Sequence, residues 1–273
     1  MSGTTELAEL LRWYVAIGVD EAIGDTAIDR FALPPPAPAA VTEVAPPSPA
    51  VRRPTPPIAI SASPPAAGAH VGDARKLAEA ATTLDELYAA IDAFEGCALR
   101  KTATHTVFAD GIPHSPLMII GEAPGADEDR VGKPFVGRSG HLLDKMLAAI
   151  GLDRQRDVYI SNILFWRPPG NRKPTDDEIA TCLPFVWRQI ALNAPQVVLL
   201  SGGTATSAIL RRSEGITKLR GKWFELSVPG LDRPVPALTT YHPSFLLRAP
   251  PRKSETWRDF LELQSKLESL QKK

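Results

Sequence analysis

Three side chains in this chain are suited to holding a flat polar ring: Phe135, Asn162 and His242. An asparagine amide presents a donor beside an acceptor, so it can pair with an N–H that adjoins a carbonyl. A phenyl ring can stack on the face of such a ring. A histidine can donate to a carbonyl oxygen, or stabilise negative charge that develops there. Two carboxylates, Glu122 and Glu128, lie in the segment that leads to Phe135. Each of these residues alone has an ordinary explanation: a core phenylalanine, a strand-end asparagine, a structural histidine, a loop acid capping N–H groups. Their recurrence just after successive apolar runs is what points to one site.

Those runs are short enough to be buried strands. Pro116–Ile120 (PLMII) precedes Gly121–Gly140, a connection with five glycines that includes Gly121 and Gly125. His141–Ile150 follows with Leu142, Leu143, Met146, Leu147 and Ile150 at helical spacing. Asp157–Asn162 (DVYISN) predicts a second strand. It leads into Ile163–Pro174, where adjacent prolines bar a helix. Thr175-Asp176-Asp177-Glu178 is a strong helix start, and the helix should reach about Leu192 with a kink or break at Pro184. Gln196–Leu200 and Val235–Thr240 predict two more strands, with a short antiparallel excursion at Lys218–Leu226 and a last helix at Ser254–Leu270. Alternating strands and helices imply an α/β fold: a three-layer α/β/α domain around a mostly parallel four-stranded sheet. Loops after such strands are where open α/β sheets bind ligands.

Upstream, Thr5–Ile23 has the periodicity of an amphipathic helix, and residues 34–65 hold twelve of the 27 prolines. The expected organisation is an N-terminal helix in residues 1–30, a Pro/Ala-rich linker in 31–72 and the main domain in 73–273. The first helix either docks on the main domain or meets a protein partner. Charge is balanced, with 31 basic and 31 acidic residues, so no global field announces a nucleic-acid partner. Two cysteines exclude a disulfide scaffold, and no apolar run reaches the roughly 20 residues of a membrane span. Without a signal-peptide pattern, the expected address is the cytoplasm and the expected state a monomer.

The motifs GEAPG…ED…GKPFVGRSG, SN…RPPGNRKPT…E…C and YHPSFLLR, in this order and spacing, resemble the uracil-DNA glycosylase superfamily, and most closely its type 4 enzymes of bacteria and archaea. The resemblance covers roughly Leu84 to Leu263. It implies an enzyme of base excision repair that acts on single- or double-stranded DNA containing uracil, flips the base out and hydrolyses its N-glycosidic bond. By the same resemblance, Gly121, Glu122, Ala123 and Gly125 belong to a uracil-pocket motif, and Glu128 lies near the attacking water. Phe135 stacks on the base, Asn162 reads N3–H and O4, and His242 faces O2. Ser244 to Arg248 form a minor-groove loop with Leu246 as its wedge. Arg138, Arg167, Asn171, Arg172 and Arg248 are expected on the DNA side.

Two departures accompany the resemblance. Type 4 enzymes usually hold a [4Fe–4S] cluster on four cysteines. Here Cys97 and Cys182 match two of those positions, while Phe94 and Trp166 stand at the other two, so no metal and no cofactor are expected. The aspartate that activates water in the best-known branch corresponds to Ala123. The alternatives are a glycosylase for another deaminated base, and a DNA-binding relative without catalysis.

Overall fold

The computed structural model describes residues 67–271. The expected N-terminal helix, and the linker up to residue 66, lie outside the described residues. The described chain opens with a helix, α1 (Ala67–Ala80), so helical structure begins inside the stretch assigned to the linker. The reason is local: Ala74 and Ala78, four residues apart on one face, are buried in the core. Helix α2 (Leu84–Asp92) follows, with Thr83 Oγ1 accepting from the Glu86 N–H at 3.1 Å as its N-cap.

The four expected strands are present: β2 (Leu117–Gly121), β3 (Val158–Asn162), β4 (Val197–Ser201) and β6 (Val235–Thr240). The sheet nevertheless has six strands, in the order β1-β3-β2-β4-β6-β5. The additions are antiparallel edges: β1 (Asp110–Gly111) beside β3 and β5 (Trp223–Leu226) beside β6. The antiparallel excursion expected around Lys218–Leu226 is β5. Strand β1 is only two residues long and partly exposed, too short for an apolar pattern.

Alternation along the parallel strands builds the layers. Leu117, Ile119, Val158, Ile160, Val197 and Leu199 face one core with α4 (Arg138–Ala149) and α10 (Lys253–Gln271). Met118, Ile120, Tyr159, Val198 and Leu200 face another with α1, α2, α6 (Asp176–Asn193) and α7 (Gly203–Leu210). Helix α6 starts on the capping box read from sequence, Thr175 N–H to Glu178 Oε2 at 2.8 Å and Glu178 N–H to Thr175 Oγ1 at 3.2 Å. It then runs through Pro184 as one helix, so of the expected kink or break the break does not occur. Buried Cys182, Phe185, Val186 and Ile190 anchor it on both sides of the proline, and this packing outweighs the one backbone hydrogen bond that Pro184 cannot make.

The connection Gly121–Gly140 is not a single loop. It contains a short helix, α3 (Ala126–Val131), before α4 begins at Arg138. Between α4 and β3 lies one helical turn, α5 (Arg154–Asp157), and another, α8 (Ile216–Leu219), lies between α7 and β5.

Phe94, Cys97, Trp166 and Cys182 fall in the same core. Phe94 meets Phe185 edge-on at 5.2 Å, and Trp166 is fully buried with its indole N–H donating to Thr106 Oγ1 at 3.1 Å. The Cys97 and Cys182 thiols face each other. Their contact lowers the Cys97 titration and raises that of Cys182, which burial pushes up further. Trp166→Ala should therefore cost about 3–5 kcal/mol. Urea denaturation monitored by circular dichroism checks this, and a loss under about 1 kcal/mol would show that packing at Trp166 does not support the core.

Candidate active site

At the carboxyl ends of β2, β3, β4 and β6 lies a cavity of about 500 Å³. The chain passes from β2 to β3 on one side and returns through β4 on the other, so the cavity sits where the strand order reverses, the usual ligand crevice of an open α/β sheet. Phe135, Asn162 and His242 all line it, as do Glu122, Ala123, Gly125, Glu128, Asn171, Arg172, Ser244 and Arg248. Gly121, Arg138, Arg167 and Leu246 do not.

Gly121 was expected on the base and instead stands behind the pocket. A Cβ there would lie 2.4 Å from Asn162 Oδ1 and 2.6 Å from the Phe135 ring. The bare backbone thus lets these two side chains close over it. Asn162, the last residue of β3, is 2% exposed. Phe135 has φ +54°, rare for a residue with a side chain, and its ring stacks on His242 at 5.3 Å and 30°.

Glu128 lines the cavity with its carboxylate engaged by backbone N–H groups. Its carboxylate accepts from the N–H groups of Gly125 at 3.0 Å, Val136 at 3.0 Å and Gly137 at 2.9 Å. Gly125 and Gly137 precede α3 and α4, so one buried acid joins the starts of two helices. Through these bonds it holds the loop. Glu122 is the more open acid: Oε2 takes the Thr204 hydroxyl, and the residue is only half-buried at the cavity wall.

His242 follows β6 and caps α9 (Pro243–Arg248), with Pro243 at the first helical position, where proline is favoured. Its Nδ1 accepts from the Ser244 N–H at 3.1 Å and lies 2.8 Å from Ser244 Oγ. A backbone N–H can only donate, so the neutral ring carries its proton on Nε2. Desolvation, and secondarily the Arg248 guanidinium, lower its titration to about 4. The cap therefore leaves a neutral Nε2–H donor at the cavity.

The expected loop Ser244–Arg248 lies wholly within this helix. Leu246, the expected wedge, is 1% exposed, because α9 turns it inward, whereas Leu247 is 38% exposed beside exposed Arg248. Arg172 is also engaged: Glu178 takes its guanidinium with two bonds, 2.6 and 2.9 Å. Arg167 Nε donates to Asn171 Oδ1 at 2.7 Å, and Arg138 is exposed at the start of α4. Sequence reasoning missed Gly202 and Gly203 after β4. Gly202 has φ +98°, and a Cβ there would meet His242 Cβ at 2.9 Å. The two glycines after Ser201 stand in the sequence as a turn signal, but nothing there ties them to a histidine forty residues on.

Fold and cavity together define an open α/β protein that can hold a flat polar ring at its strand ends. A family model described as the uracil DNA glycosylase superfamily matches residues 108–261. Type-4 uracil-DNA glycosylases of Pyrobaculum aerophilum, Archaeoglobus fulgidus and Thermotoga maritima are 36%, 37% and 39% identical to this chain. These alignments span 64%, 66% and 65% of the chain, and 90%, 92% and 88% of those proteins. This chain belongs to the uracil-DNA glycosylase superfamily.

The state of His242 has a measurable consequence. The unfolded histidine takes up its proton near pH 6.5 and the folded one only near 4, so acid favours unfolding between those values. Stability is full above pH 6.5 and should fall by up to about 3 kcal/mol by pH 4 from this residue alone. Nitrogen-15 NMR of the imidazole should show the Nε2–H form at neutral pH. A Nδ1–H form, or titration near 6.5, would contradict the assignment.

Proposed function

We propose that this chain is a DNA glycosylase that extrudes uracil from DNA and hydrolyses its N-glycosidic bond, leaving an abasic site for base excision repair. The observation that carries this is the convergence of Phe135, Asn162 and His242 on one cavity. An enzyme acting on a base must take it from the stack, at a cost of a few kcal/mol. Phe135 offers the flipped ring a stacking face. The Asn162 amide pairs with N3–H and O4, and rejects cytosine, whose edge presents the opposite pattern.

In the reaction the bond between C1′ and N1 breaks and its electron pair stays on the base. Negative charge spreads onto O2, where the Nε2–H of His242 donates to it. A neutral donor suits this step because it does not have to be deprotonated or desolvated as a cation. A preorganised donor of this kind contributes a factor of about 10²–10³ in rate. Water adds its oxygen to C1′, and the proton it loses goes to the departing uracil anion, which leaves as neutral uracil. Glu122, the more open of the two acids, is the carboxylate suited to orient that water, while Glu128 keeps the loop in shape. Leu247 replaces Leu246 as the apolar side chain able to enter the gap left by the base, with Arg248 beside it for a phosphate.

Release of uracil from single- and double-stranded oligonucleotides, read by alkaline cleavage at abasic sites, tests the reading. Wild type should release uracil and leave cytosine intact. His242→Ala should lose about 10²-fold in single-turnover rate with DNA binding retained, and Leu247→Ala should slow duplex more than single strands. No uracil release by wild type would overturn the proposal.

The donor set does not fit the four-cysteine iron–sulfur cluster that the family resemblance implies. Such a cluster takes four thiolates, and here two buried thiols meet with Phe94 and Trp166 packed at the remaining positions. We infer that apolar packing has replaced coordination at this place, and no step of the chemistry passes through iron. Protein purified without oxygen should be colourless and free of stoichiometric iron; four irons per chain would contradict this.

A further inference from the structure

We propose that Arg154 is a positioning residue of the pocket: by fastening the carbonyls of Pro134 and Phe135 it holds the Phe135 ring in place, and so sets the affinity for the base. The consequence for the base rests on the reading of the cavity as a uracil site; the positioning does not.

The side chain of Arg154 is 10% exposed, and every nitrogen of its guanidinium is used. One terminal nitrogen donates to Phe135 O at 2.6 Å. The other donates to Pro134 O at 3.0 Å and to Asp110 Oδ2 at 3.2 Å. Nε donates to Asp144 Oδ1 at 2.8 Å. Asp110 is itself 9% exposed and also pairs with Lys133 at 3.0 Å. The fork is thus fixed to β1 and α4 on one side and grips the backbone of the pocket loop on the other.

That grip falls where the backbone needs it. Phe135 has φ +54°, and a left-handed conformation costs a residue with a side chain about 1–2 kcal/mol. Released, the residue would return to an ordinary conformation and swing its ring away from Gly121 and His242. Three contacts oppose this. Glu128 takes the next N–H, that of Val136. Gly140 leaves room for the Phe135 carbonyl, which would lie 1.8 Å from a Cβ there. Arg154 takes the carbonyl itself. Arg154 does not line the cavity, so it acts only through Phe135. Lysine would keep the charge but not the fork that reaches two carbonyls and two carboxylates together.

Arg154→Lys, alone and with Phe135→Ala, tests this by three readings: inhibition by free uracil, affinity for a duplex with a tetrahydrofuran abasic site, and the ring-proton NMR shifts of His242. The uracil inhibition constant should rise at least tenfold while abasic-duplex affinity stays within twofold. The rise should vanish when Phe135 is already alanine. The His242 shifts, which report the stack without any substrate, should move toward those of Phe135→Ala. If Arg154→Lys does not fold, Asp144→Ala, which frees only Nε, should give the same pattern at smaller size. Unmoved His242 shifts overturn the proposal, as does an equal loss of uracil affinity in the Phe135→Ala background, or parallel loss of both affinities. If wild type releases no uracil, the functional reading fails, and the His242 shifts still decide whether Arg154 positions Phe135.

Discussion

The pocket depends on one buried carboxylate. Glu128 collects three backbone N–H groups, from Gly125, Val136 and Gly137, that belong to the starts of two helices. Without it these donors would be left unpaired in a partly dry loop, each at a cost of about 1–3 kcal/mol. With it, the path from β2 to α4 has one shape. That shape brings Phe135 back over Gly121 and sets its ring against His242.

From this constraint the rest follows by close approach. Gly121 and Gly202 are bare because Asn162, Phe135 and His242 occupy the space their side chains would fill. Three residues from three connections therefore meet without a bond between them, each held from behind. Asn162 is held by its strand, Phe135 by Glu128 and Arg154, and His242 by its cap on α9. The cap does chemical as well as structural work: it fixes the tautomer that donates into the cavity. In the cysteine region, on the other core, Phe94 and Trp166 pack together with the two buried thiols.

Much of this was legible in the sequence, for physical reasons. Strands β2 and β4 are nearly continuous apolar runs because both faces are buried, and the start of α6 is a capping box whose two bonds form as read. Asn162 ends strand β3, and Phe135 and His242 stand in the connections that follow β2 and β6. What stayed hidden depends on exact direction or distance. Leu246 and Leu247 are neighbours of one type, and only the start of α9 decides which turns inward. Glu128 and Glu122 are both acids in a glycine-rich segment, and only the fold shows that the first is filled by N–H groups. Arg154 stands in DRQRD, which reads as a solvated charge run, yet its side chain is 10% exposed. Pro184 reads as a kink or break, and packing on both sides keeps the helix uninterrupted there.

The central claim is that this cavity receives an extruded uracil. A crystal structure of the protein with an abasic-site duplex and free uracil tests it most directly. The account predicts the uracil ring on the face of Phe135, its N3–H and O4 on the Asn162 amide, and its O2 on Nε2 of His242, with Leu247 in the vacated base step. Uracil bound elsewhere, or an empty cavity with the duplex on another face of the domain, would contradict it.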